Sequence, residues 1–365
     1  MAYTTIDNPE LYFQTVTYAG NSSSPRTITL DGSEDMQPDW VWIKKRDGAD
    51  HNQVYDSVRG FGAGKDICSG QTFQEGSSSN NSTAYGYVSA VTSDGFTLTE
   101  GNSGTSSIRS LLVNHSGKNF VAWNWKAGGS ASSNSDGTET SNVSANTTAG
   151  FSIITYSGTT ALDTYGHGLS QKPEMMIFKT RAGANRNWVV YHKDIGATKH
   201  LHLNLTDTVA TDQYMFNNTE PTNSVITLYD EGEVNKSGST YVGYIFHSVQ
   251  GYSKFGKYTG NANADGTFVY TGFRPAFVLV RDPNNAENWL MYDNKRPGFN
   301  VTNNHMMANS TTTETASTAN TMDFLSNGFK IRSTNNGLNR SSATFLYMAF
   351  AESPFVNSSG IPCNA

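Results

Sequence analysis

A proline-led extended run occurs three times in this chain, and it limits the fold more than any other feature. The copies are Gln37-Pro38-Asp39-Trp40-Val41-Trp42-Ile43-Lys44-Lys45-Arg46, Lys172-Pro173-Glu174-Met175-Met176-Ile177-Phe178-Lys179 and Arg274-Pro275-Ala276-Phe277-Val278-Leu279-Val280-Arg281. Proline has no N–H to give a sheet ladder, so it belongs at the start of a strand. The bulky and β-branched residues after it predict a strand buried on both faces. The basic residue that closes each run is expected where the chain returns to water. The same parts in the same order, three times over, imply an internal repeat.

The flanking sequence repeats too. Each copy opens on a strand that ends in a Tyr-x-Gly turn, as in Thr17-Tyr18-Ala19-Gly20, Thr155-Tyr156-Ser157-Gly158 and Lys257-Tyr258-Thr259-Gly260. A short aromatic strand follows the proline-led run: His51 to Asp56, Asn187 to His192 and Asn288 to Asp293. Ser93-Asp94-Gly95 and Ser326-Asn327-Gly328 read as hairpins whose Asp-Gly and Asn-Gly pairs take φ > 0 at both turn positions. Copy two has lost this signal at Asn223-Ser224-Val225. Each copy closes on a polar turn and a last aromatic strand, Ser116 to Trp125, Ser237 to Phe246 and Ser341 to Phe350.

The expected fold is therefore all-β: three tandem β-sandwich or jelly-roll-like repeats of about 100 residues. We place an N-terminal arm at 1–12, repeat one at 13–126, a Gly/Ser/Asn/Thr-rich connection at 127–150, repeat two at 151–247, and repeat three with a tail at 248–365. The arm has little to bury and is expected to fray unless something pins it. The composition of 127–150 suggests a flexible or surface-running connection. Only residues 248–254 separate copies two and three, so these should hold each other more tightly than copies one and two. No stretch carries helical periodicity over several turns.

Charge and composition exclude some functions. Charged residues are 15% of the chain, against about 25% in typical domains. The formal net charge is -6 and no basic patch stands out, so a nucleic-acid binder is not expected. No apolar run has membrane-spanning length. The segment Met1 to Asn8 has neither the basic region nor the apolar core of a signal peptide, which implies synthesis and folding in a cytoplasm. There Cys68 and Cys363 are expected to be unpaired thiols.

Catalytic motifs with any specificity are missing. Gly60-Phe61-Gly62-Ala63-Gly64-Lys65-Asp66 imitates a phosphate loop, but Arg59 stands where a glycine is needed and Asp66 where Ser or Thr would hold magnesium. Asp39, Asp56 and Glu174 are the carboxylates that a sugar-cleaving pair would draw on, but that chemistry needs a defined separation. We assign no catalytic residue, no cofactor and no metal. The sharpest metal candidate is His200-Leu201-His202, whose imidazoles share one face of a strand. Three chains on a threefold axis would offer six nitrogens there; the plainer reading is two half-exposed histidines. Trp42, Trp188 and Trp289 fall in repeated segments and read as core. Tyr85, Tyr87 and Tyr214 lie in variable segments, where they either pack or stack on a partner.

Several segments carry a resemblance: Ile6-Asp7-Asn8-Pro9-Glu10-Leu11-Tyr12-Phe13-Gln14, Gln37 to Lys44, Asp56-Ser57-Val58-Arg59-Gly60, Ser93-Asp94-Gly95-Phe96, Val121 to Gly129, Ser144 to Phe151 and Thr271 to Leu279. In these the chain resembles tandem-repeat, β-rich virion structural proteins, described as tail-fibre-like, of marine tailed phages of the cyanophage type. The resemblance spans nearly the whole chain, but its motifs are structural and transfer no site residues. It implies a non-enzymatic component of a phage virion, assembled in the host cytoplasm: a tail fibre or tail-associated adhesin contacting the host surface. A capsid decoration or head-fibre protein is the alternative, and a carbohydrate-cleaving tail enzyme a third. The implied partners are other virion proteins, further copies of the chain in a trimer, and a host-surface glycan or protein; the N-terminal arm would serve attachment.

Overall fold

The computed structural model describes residues 4–77, 81–104 and 106–354. It is built from antiparallel sheets, and each helix among the described residues has at most four residues. Three large sheets contain the same five strands in the same spatial order. In lobe one the order is Phe13–Ala19, Asn119–Trp125, Trp40–Lys45, Gln53–Asp56 and Ile67–Cys68. In lobe two it is Phe151–Ser157, Thr240–Phe246, Met175–Ala182, Val189–His192 and Lys199–His202. In lobe three it is Ser253–Thr259, Thr344–Pro354, Phe273–Arg281, Leu290–Asp293 and Asn304–Met307. A small sheet accompanies each large one and completes a sandwich.

The proline-led strand sits centrally in each sheet, and its two faces enter different cores. Val41 and Ile43 face the core of lobe one, Met176 and Phe178 that of lobe two, and Val278 and Val280 that of lobe three. The alternate residues Trp40, Trp42, Met175, Ile177, Phe277 and Leu279 all join one further cluster that the lobes share. Trp40 lies in the middle of it, with ring centroids of Trp125, Tyr244 and Phe151 at 4.4, 4.6 and 5.8 Å. Period-two alternation thus gives each sheet two apolar faces, one for its own sandwich and one for the axis of the molecule.

The prolines sit as their chemistry requires. Pro38 and Pro173 lie two residues before their strands, while Pro275 falls inside its strand at a register shift. The hairpins form, but not with the expected turn. The strands Tyr87–Thr92 and Gly95–Thr99 leave Ser93 and Asp94 as the turn, and Gly95 begins the next strand with φ 117°. A Cβ on Gly95 would lie 2.0 Å from the Ile28 carbonyl oxygen, and one on Gly328 would lie 2.0 Å from that of Val269. Close approach of the facing strand selects glycine at both places, and at Gly95 the positive φ does so as well. In lobe two Val225 occupies this place, with Gly166 opposite it.

Three expectations are corrected. The segment 127–150 is not a free connection: Ser141–Asn146 pairs with Phe151–Ser157, and Ser132–Asn134 extends the same sheet. Val143 enters the lobe-two core, an inward position hidden in the sequence by its polar neighbours. The N-terminal arm is pinned. Ile6 is buried in the axial cluster, Asn8 caps the short turn Pro9–Leu11 by accepting from the Glu10 N–H at 3.1 Å, and Tyr12 packs edge-on against Tyr252. Finally, the first basic residue after each apolar run does not return to water, since Lys44, Lys179 and Arg281 are each 0% exposed. Cys68 is also buried and accepts from the Gln53 side chain at 3.4 Å; Cys363 lies outside the described residues.

Because the lobes share one apolar cluster, they should unfold together. Trp40→Ala removes the ring at its centre and should cost about 3–5 kcal/mol, read by urea denaturation as a lower midpoint of one cooperative transition. Separate transitions for separate lobes, or a loss below about 1 kcal/mol, would contradict the shared-core account.

Candidate functional site

The best-defined polar machinery lies between the lobes and runs in one direction around a ring. Lys44 of lobe one donates to the Ser310 carbonyl of lobe three at 3.2 Å. Lys179 of lobe two donates to the Thr72 carbonyl of lobe one at 2.9 Å, and Arg281 of lobe three to the Asp207 carbonyl of lobe two. Burial lowers the Lys44 ammonium to about 8 and that of Lys179 to about 7.

A second ring of hydrogen bonds follows the same circuit. Asn52, Trp188 and Trp289 precede the short aromatic strands at matching positions. Asn52 donates to the Met307 carbonyl at 3.2 Å, the Trp188 indole to that of Cys68 at 2.9 Å, and the Trp289 indole to that of His202 at 2.9 Å. A third set is ionic in two places: Arg46 pairs with Glu314 at 2.8 Å and Arg181 with Glu75 at 2.7 Å. In the third place the Val209 N–H donates to the Pro283 carbonyl at 2.6 Å. Lobes one and two are therefore latched at as many matching places as lobes two and three, contrary to the expectation from linker length.

The carboxylates that sequence offered for catalysis are engaged in this framework. Asp39 accepts from the Ala127 N–H at 2.8 Å, and Glu174 accepts from the Ser248 N–H at 3.2 Å, so each ties down the segment leaving its lobe. Asp56 accepts from the Arg59 N–H and from the Tyr244 hydroxyl of lobe two, both at 2.8 Å. Asp293 repeats this with the Arg296 N–H at 2.9 Å and the Trp123 indole of lobe one at 3.0 Å. The Asp-x-x-Arg spacing after the aligned short strand was a readable signal for these twin buried pairs. In lobe two His192 takes the place, 3.4 Å from the Tyr347 carbonyl oxygen of lobe three. The phosphate-loop imitation is also structural, with buried Asp66 bonded to Ser82.

Trp42, Trp188 and Trp289 are all in the axial cluster. Tyr85 and Tyr87 lean on the lobe-one core, and Tyr214 stacks on Tyr229 at 5.5 Å. His200 and His202 are not half-exposed: His200 is 4% exposed, and the His202 side chain 13%. No second chain is needed to complete their surroundings. Asp207 Oδ2 lies 2.5 Å from His202 Nδ1, and Glu233 Oε2 lies 3.0 Å from Nε2. Burial alone would lower the His202 pKa, but these two hydrogen-bonded carboxylates raise it to about 9. Neither Asp207 nor Glu233 was singled out in the sequence, since both come from irregular segments.

One outward-facing surface combines aromatic and charged groups. Phe268 and Tyr270 alternate with buried Val269 on the strand Phe268–Tyr270, an edge of the small sheet in lobe three, and are 43% and 49% exposed. They flank an open groove shared with Lys193, Asp194, Lys254 and Lys257. Lys254 donates to the Tyr270 carbonyl at 2.9 Å and lies 5.3 Å from its ring centroid. Asp194 pairs with Lys257 at 3.4 Å, and Glu174 with Lys193 at 3.0 Å. Aromatic faces beside hydrogen-bonding charges can take an apolar-faced, hydroxyl-rich ligand or a protein side chain. Among the described residues no helix is long and apolar enough to cross a membrane.

These features define a protein of three interlocked β-sandwiches with a buried polar ring and a laterally exposed aromatic groove. The chain belongs to a family described as a domain of unknown function (DUF7483), whose model matches residues 8–354. No curated protein and no solved structure matches it.

The ionic latches make the ring acid-sensitive. Burial would raise the pKa of Glu75 and Glu314, but Arg59 and Arg181 around the first, and Arg46 and Arg296 around the second, hold both below the ordinary carboxylate range. Their stabilisation is complete above the unfolded value of about 4.3 and is lost as pH falls through the lower folded value. Stability of the wild type should therefore fall more steeply with acid over that window than that of the Glu75→Gln/Glu314→Gln double variant. Parallel curves in urea titrations from pH 6 to pH 2 would show that the latches contribute nothing.

Proposed function

We propose that this protein is a non-enzymatic structural component of a phage virion, a tail-associated adhesin whose groove around Phe268 and Tyr270 meets the host surface. The observation that carries this reading is the cyclic latching of three lobes about one buried core. One chain thereby offers the threefold arrangement expected of three chains, and it can seat on a threefold feature of a particle. The buried polar ring suits a part that must stay folded outside a cell. The use of Asp39, Asp56 and Glu174 as structural ties supports a scaffold over a hydrolase. The groove, made of side chains on sheet edges, supplies a place where partner choice can change without disturbing the axis.

A second reading follows from the same cyclic arrangement: a decoration seated at local threefold positions of the capsid. Imaging of intact particles by cryo-electron microscopy separates the two. A few copies at the tail are expected, and occupancy across the capsid lattice would replace the adhesin with the decoration. The groove has its own test. Phe268→Ala/Tyr270→Ala truncates two exposed rings, so the melting temperature should change little while binding of the purified protein to host cells falls at least about tenfold, the size expected for removing a binding hot spot. Unchanged binding would remove the groove from the proposal.

A further inference from the structure

We propose that His200, His202 and Glu233 form a binding site for one divalent transition ion of the zinc class, which braces lobe two against lobe three. His200 and His202 stand two residues apart on the strand Lys199–His202, and their rings lie 5.0 Å apart. One ligand atom from each of the three side chains lies within 4.8 Å of the others. A tetrahedral zinc ion with bonds of 2.0–2.1 Å sets its ligand atoms about 3.3 Å apart, so side-chain rotations close the gap. Two imidazoles and a carboxylate, with water in the fourth position, are a donor set that zinc, cobalt and nickel accept.

The surroundings orient these donors. Asp207 at 2.5 Å from Nδ1 of His202 fixes that nitrogen as the proton carrier and leaves Nε2 facing Glu233. A carboxylate behind a ligating histidine is the arrangement that aims the ring and strengthens it as a donor. The other oxygen of Glu233 accepts from the Asn187 side chain at 2.7 Å, which holds the carboxylate in place. His200 supplies an independent observation. It is 4% exposed, yet its Nδ1 has no hydrogen-bond partner among the described residues. The hydrogen-bonded triad of His202 leaves this buried imidazole unexplained, whereas an ion gives it a role. On binding, the ion takes the place of the proton between His202 and Glu233, and that proton leaves to solvent.

The site also lies where lobe three grips lobe two. The Trp289 indole bonds the His202 carbonyl, and Arg281 bonds the Asp207 carbonyl. Metal bound here therefore fixes the backbone that receives two inter-lobe latches. The matching positions hold Asp66 and Cys68 in lobe one and His305 and Met307 in lobe three, so this donor set belongs to lobe two alone.

The test uses the full chain, purified with chelator and then titrated with Zn2+ or Co2+. One equivalent should bind, raise the melting temperature and, with cobalt, give visible d–d bands of a four-coordinate ion. X-ray absorption on the zinc-loaded wild type should count two imidazoles, a readout that needs no variant. Glu233→Gln and His200→Gln should each weaken binding by about tenfold or more, by comparison with the loss seen even for outer-shell changes. No stoichiometric binding, fewer than two imidazoles, or affinity unchanged in both variants would overturn the proposal.

Discussion

Every large sheet in this protein has two apolar faces, and a lone sandwich can cover only one. This constraint shapes the rest of the structure. The small sheet covers one face of Trp40–Lys45, Met175–Ala182 and Phe273–Arg281, and the other two lobes cover the second. Apolar burial at roughly 25 cal/mol per Å2 drives such closure, and the large side chains of Trp40, Trp42, Trp123, Trp125 and Trp188 are fully buried in it. A single repeat would leave its axial face in water, so each lobe depends on its neighbours as units in a repeat protein do.

Apolar packing is not directional, and it does not by itself set how the lobes turn about the axis. The polar ring does. Lys44, Lys179 and Arg281 each stand in the C-terminal half of a central strand and each reach a carbonyl of the next lobe in the same sense. Burying such groups without partners would be costly, so the contacts discriminate strongly against other rotations. The lobes differ in how they meet this need. Asp56 and Asp293 use an arginine three residues on, while lobe two uses His192. Two inter-lobe latches are ion pairs, and the third is the backbone bond between Val209 and Pro283. The places available for specialised chemistry, the groove of Phe268 and Tyr270 and the cluster of His200, His202 and Glu233, fall around lobes two and three.

Much of this was legible in the sequence, because strand periodicity and turn chemistry are local. The all-β class, the recurring strands and the core placement of Trp188 and Trp289 follow from alternation and from repeated segments. Elsewhere local composition points away from the fold. Ser141–Asn146 reads as linker because its outward residues are polar, although Val143 points inward. Lys44, Lys179 and Arg281 read as strand exits because charge ordinarily marks water. Gly95 and Gly328 are legible as hairpin glycines, and Gly95 has the positive φ expected of one, but the close carbonyl that excludes a side chain at both belongs to a strand distant in sequence.

The sequence alone determined that this chain makes three similar sheets, each with more apolar surface than one sandwich can hide, because side-chain alternation is written residue by residue. Only the tertiary structure decided that those surfaces meet on one axis, and that Asp207 and Glu233 come to His202 from separate segments of the chain. Those contacts join residues far apart in the chain or held by irregular backbone, and no periodic pattern links such residues before the chain folds.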